Sequence, residues 1–135
     1  MINLLICLRL HFAWFIALFS TVISLSFSKI FGFIPCELCW YQRILMYPLV
    51  FIIFITIYKN DKNDKSYILP FSVLGLLISF YHILIQKIPV LSEIMPCTES
   101  IPCNADYLNW YGFITIPMLS FTSFLFITIL TSLKK

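Results

Sequence analysis

Four apolar runs, separated by short charged or cysteine-bearing connections, constrain this chain more than any other feature. They cover residues 10–28, 44–58, 67–85 and 113–133, and none contains an aspartate or a glutamate. A bilayer core about 30 Å thick is crossed by roughly 17–25 mostly apolar helical residues. Each run is therefore expected to span, the second by drawing on residues 41–43. Lipid offers no partner to backbone N–H and C=O groups, so each span is predicted to be helical. With 61% hydrophobic and 11% charged side chains, against about a quarter charged in soluble domains, the chain lacks the polar surface of a soluble globule. Its hydrophobicity also excludes disorder. A net charge of +3 on scattered basic residues excludes a nucleic-acid face. The first run is long for a signal-peptide core and no small-residue cleavage site follows it, so it is expected to remain as a span.

Lysine and arginine bias loops toward the cytoplasm. Arg9, Lys59, Lys62, Lys65, Lys134 and Lys135 fall on one side, and Lys29, Arg43 and Lys87 on the other. The expected fold is an all-α membrane protein, one integral membrane domain over residues 1–135. It is a four-transmembrane-helix bundle with both termini cytoplasmic and outer loops at 29–43 and 86–112. Trp40, Tyr41, Tyr107, Trp110 and Tyr111 lie where an interfacial aromatic belt is expected. Pro48 and Pro117 are read as kinks that neighbouring helices accommodate. Ser72, Gly75 and Ser79 share one helical stripe and are expected to serve close helix packing.

Four of the five cysteines lie in the outer loops, Cys36 near Cys39 and Cys97 near Cys103. Cys7, on the cytoplasmic side, is read as a small apolar filler. Outside the cytoplasm nearby cysteines oxidise readily. In P-C-E-L-C, Pro35 suits the first position of a helix, which would place Cys36 in the first turn, where helix N–H groups favour a thiolate. A bridge between Cys36 and Cys39 closes too few residues to stabilise the fold much, and the seven-residue ring from Cys97 to Cys103 is worth only about 2.4 kcal/mol before strain. Three readings stand: two structural bridges, a four-thiolate zinc site, or a two-step thiol relay. The zinc reading lacks a second C-x-x-C, and the weak stabilisation favours the relay.

A relay needs an electron acceptor. The chain has no haem or flavin motif, but a membrane holds quinone. Arg43, four residues after Cys39, lies about one turn deeper on a similar face, where a guanidinium can stabilise a thiolate and a quinone oxygen gaining charge, or else simply snorkel to the interface. His82 and Gln86, at i and i+4 in the third run, share a stripe at comparable depth. Polar groups at that depth usually face the bundle interior, where His82 either bonds a neighbouring helix or serves a quinone.

P-C-E-L-C-W-Y-Q-R-I-L-M-Y-P from Pro35, H-I-L-I-Q from His82, P-C-T-E-S-I-P-C from Pro96 and N-W-Y-G-F-I-T-I-P from Asn109 together resemble the DsbB family of disulfide-forming membrane oxidoreductases, most closely its BdbC branch. The likeness runs in order along almost the whole chain. It implies a dithiol:quinone oxidoreductase of the bacterial cell membrane that reoxidises a DsbA- or BdbD-like thioredoxin-fold partner and passes the electrons to ubiquinone or menaquinone, as a periplasm is kept oxidising. It further implies disulfides Cys36–Cys39 and Cys97–Cys103 as the catalytic pairs, Cys97 being attacked by the partner and Cys39 standing next to the quinone. Arg43, His82 and Gln86 would bind the cofactor, and no resident metal is expected. The ring between Cys97 and Cys103 is shorter than in the enterobacterial type, so the order of exchange between the loops does not carry over. A vitamin K epoxide reductase-like protein would have its loop pair before the C-x-x-C, the reverse of the order here. A non-enzymatic scaffold with two structural disulfides is the remaining alternative.

Overall fold

A computed structural model describes residues 2–32, 34–88, 90–91 and 115–133. The described residues are helical: α1 (Ile2–Lys29), α2 (Glu37–Lys59), α3 (Asp64–Lys87) and α4 (Ile116–Ser132). The first three are long and apolar enough to cross a membrane, and α4 is a shorter apolar helix. Each helix packs against two neighbours, closing a ring in the order α1, α2, α3, α4 and back to α1.

α1, α2 and α3 outrun the apolar stretches that announced them, whereas α4 lies within its own, starting at Ile116 after the N-cap Thr115. α2 begins at Glu37 and α1 at Ile2, because hydropathy marks the depth of the bilayer while caps and dihedrals end a helix. α2 stops where Asn60 turns left-handed at φ 49°. The Asn60 N–H bonds the Ile57 carbonyl and the Asp61 N–H bonds the Thr56 carbonyl, the pairing of a Schellman ending. Asp61 Oδ1 then accepts the Asn63 N–H at 2.9 Å, and α3 starts one residue later.

Apolar side chains cover these helices all round, with Phe15, Phe19, Phe51, Phe54 and Leu77 among those exposed. Apolarity therefore cannot say which face is inward. Small and polar residues at alternating three- and four-residue steps do. In α2 the buried residues are Gln42, Met46, Leu49, Ile53 and Thr56. In α3 they are Asp64, Ile68, Ser72, Gly75, Ser79, His82 and Ile85. This is the spacing with which two helices mesh along a shared seam. The Ser72, Gly75 and Ser79 stripe is buried as the sequence predicts, and the Phe124 ring of α4 fills the space where a Gly75 Cβ would stand. Ser79 Oγ and Ser120 Oγ, 3.5 Å apart, continue the α3–α4 contact.

At the end of the ring away from the C-x-x-C, Arg9 of α1 bonds Asp64 of α3 at 2.6 Å. The same guanidinium donates to the carbonyls of Leu130 and Thr131, and Lys65 donates to that of Ser132. The last carbonyls of a helix have no partner within it and carry its negative dipole end. Two cations from other helices satisfy them here. Asp64, although it lies in the charged connection between the second and third apolar runs, is fully buried.

Candidate functional site

α2 carries the C-x-x-C pair on its first turn. Cys36 is the N-cap, with extended backbone (φ −72°, ψ 169°), and its carbonyl accepts the Trp40 N–H. Pro35 thus precedes the helix instead of opening it. The thiol still stands at the positive end of α2. The sulfurs of Cys36 and Cys39 lie 3.3 Å apart as free thiols. The Cys39 S–H beside it holds Cys36 below the ordinary thiol range, against the opposing effect of burial and with help from His82. Cys36 is thus the sulfur best able to stand as a thiolate in the dithiol state.

α3 brings His82 against this pair. Its Nε2 is 3.7 Å from Cys36 Sγ, and its Nδ1 is 3.2 Å from the side-chain amide nitrogen of Gln42. His82 is 2% exposed and Gln42 5%, so both are withdrawn from lipid and water alike. Ile85 is buried beside Cys36, with Leu38, Tyr81 and Leu91 packed around them. Among the described residues the donor atoms of Cys36, Cys39 and His82 lie within 4.8 Å of one another, three where a structural zinc site takes four.

Arg43 links α2 to α1 through Nη2, which donates to Ser28 Oγ at 2.7 Å and to the Ser24 carbonyl at 3.1 Å. Its guanidinium carbon stands 5.7 Å from the centre of the Trp40 ring, a cation–π distance. Trp40 and Tyr41 are exposed at the start of α2, as an aromatic belt requires.

These groups share one cavity of about 260 Å³ inside the helix ring. Cys36, Cys39, Gln42, Arg43, His82 and Gln86 give it a polar wall, and Phe19, Ile23 and Phe126 are among the apolar residues that α1 and α4 contribute. Where α1 meets α4, Ser20 Oγ donates to Ser123 Oγ at 2.8 Å. An apolar chamber with a few convergent polar groups is the usual form of a small-molecule site. Its composition fits a quinone, whose ring needs apolar walls and whose oxygens need donors. Among the described residues Arg43 donates hydrogen bonds only through Nη2, so Nη1 and Nε keep donors for such an oxygen.

Five of the residues expected from sequence, Cys36, Cys39, Arg43, His82 and Gln86, thus meet at one cavity. Cys97 and Cys103, with the loop that carries them, lie outside the described residues. Gln42 was missed. The signal was present: it is a polar residue three positions after Cys39, on the seam that continues through Met46, Leu49 and Ile53.

A family model described as disulfide bond formation protein DsbB matches residues 8–133. Disulfide bond formation protein C of Bacillus subtilis is 50% identical over 126 residues, 93% of this chain and 91% of that protein. The probable disulfide formation protein C of Halalkalibacterium halodurans is 50% identical over 117 residues, 87% of this chain and 85% of that one. Probable disulfide formation protein C 2 of Bacillus anthracis is 51% identical over 123 residues, 91% of this chain and 87% of that one. No solved structure matches the chain.

Proposed function

The chain belongs to the DsbB family of disulfide bond formation proteins, and from that premise we propose that it reoxidises a DsbA- or BdbD-like thioredoxin-fold protein and delivers the electrons to membrane quinone. Membership makes it a membrane thiol-disulfide oxidoreductase. The observation that carries the finer reading is the joining of the Cys36/Cys39 pair, His82 and Arg43 at the polar wall of one apolar cavity.

On this reading the chain crosses the bacterial cell membrane four times, with both termini cytoplasmic and the cysteine loops outside. The partner's thiolate attacks Cys97 of the Cys97–Cys103 bridge. The partner's second thiolate closes its own disulfide, leaving Cys97 and Cys103 as a dithiol. That dithiol reduces Cys36–Cys39 by the same exchange and recovers its bridge, each step needing a thiolate and access. Cys36 and Cys39 then give up two electrons and two protons and close again. Quinone supplies the lipid-soluble acceptor and leaves as quinol. Cys39 opens onto the cavity, Arg43 offers N–H donors to an oxygen gaining negative charge, and His82 stands against Cys36. The apolar wall excludes water, which strengthens those interactions.

The test is anaerobic mixing of the purified protein with a reduced DsbA-like partner and a soluble quinone analogue, following loss of quinone absorbance. Turnover is expected, and Cys39→Ser is expected to abolish it. No turnover, or undiminished turnover in the variant, contradicts the assignment.

A further inference from the structure

We propose that Gln42 is a positioning residue of the relay, whose side-chain amide donates to Nδ1 of His82 and so holds the imidazole as its Nε2–H tautomer, with that N–H aimed at Cys36 Sγ. The inference rests on the relay reading for its purpose, but not for its geometry.

A neutral imidazole has one N–H and one bare nitrogen, and the partner of one nitrogen decides the state of the other. The amide nitrogen of Gln42, 3.2 Å from Nδ1, is a donor only, so Nδ1 accepts and the ring proton sits on Nε2. Nε2 in turn faces Cys36 Sγ at 3.7 Å, within reach of an N–H···S bond. Such polar groups at membrane depth are costly unless paired. Here each partner satisfies the next, from α2 to α3 and back to the N-cap of α2.

The consequence is chemical. A bare Nε2 would draw a proton from the Cys36 thiol, whereas an Nε2–H stabilises Cys36 each time it is released as a thiolate by exchange and keeps its own proton throughout. Among the described residues, the ionisable side chains lining the cavity are Cys36, Cys39, Arg43 and Tyr47, from α2 and its N-cap, and His82 of α3.

The experiment is long-range ¹H–¹⁵N spectroscopy of the reduced protein, labelled at histidine and held in lipid nanodiscs. The signals of His82 are separated from those of His11 by a His11→Ala variant. The native protein is expected to show His82 with Nε2 protonated and Nδ1 bare. Gln42→Glu, which puts an acceptor opposite Nδ1, is expected to protonate Nδ1. Gln42→Leu is expected to release the tautomer preference and slow single-turnover reduction of Cys36–Cys39 by a small dithiol about tenfold, the effect of one hydrogen bond. Protonated Nδ1 in the native protein, or a tautomer unmoved by Gln42→Glu, overturns the proposal. The native spectrum decides the matter even if a variant fails to fold. A protein that shows the tautomer but reduces no quinone keeps this inference and loses the relay.

Discussion

Arg43 is held to α1 by Ser24 and Ser28 through one nitrogen, and among the described residues its other nitrogens make no hydrogen bond. That arrangement distinguishes a cation built into a site from one that snorkels to the interface. Charge-assisted hydrogen bonds are worth about 1.5–3 kcal/mol, so Arg43→His is expected to raise the quinone KM by roughly tenfold to a hundredfold while the helices persist. Ser28→Ala, which loosens the anchor and leaves the charge, is expected to have a smaller effect. Steady-state kinetics over quinone concentration, with circular dichroism as the folding control, checks both. An unchanged KM in Arg43→His contradicts the role given to it.

Between helices, fit is set by a few small residues. Phe124 packs where a Gly75 side chain would be, and overpacking of this kind costs roughly 1–3 kcal/mol. Gly75→Ala is therefore expected to lower the thermal midpoint in detergent, and adding Phe124→Leu to restore part of the loss. An additive pair of effects contradicts the contact. The stripe of Ser72, Gly75 and Ser79 was legible in the sequence because small residues at helical spacing have one main use in a membrane. The start of α2 was legible only through Pro35, which put it two residues early, because a hydropathy reading ends where the lipid does. Gln42 escaped for a related reason. Its neighbour Arg43 is the more conspicuous charge, and only the seam through Met46 and Leu49 shows that Gln42 points inward. The C-x-x-C, Arg43, His82 and Gln86 stood out as costly residues at their depth, but for Arg43 and His82 the residues alone left a structural use open, and the family resemblance chose between the two.

The described residues form a ring of helices with the C-x-x-C pair at one end and a charged clasp at the other. Arg9, Asp64 and the last carbonyls of α4 tie three helices together there. Removing one partner of a buried pair leaves the other uncompensated, at about 3–5 kcal/mol. Asp64→Leu is thus expected to destabilise the protein strongly, and Arg9→Leu combined with Asp64→Leu to be more stable than Asp64→Leu alone. Neither variant touches the cavity, so any folded fraction is expected to keep its quinone KM. The clasp was hidden in the sequence because it joins residues 9, 64 and 130–131, which share no local pattern. The central claim, that the Cys36/Cys39 dithiol empties into quinone, is tested most directly by one stoichiometric measurement. The reduced protein in nanodiscs is given quinone anaerobically, and quinol formed is compared with the thiols lost from the peptide bearing Cys36 and Cys39. The account predicts one quinol for each pair of thiols converted to a disulfide; thiols that persist beside unreduced quinone would contradict it.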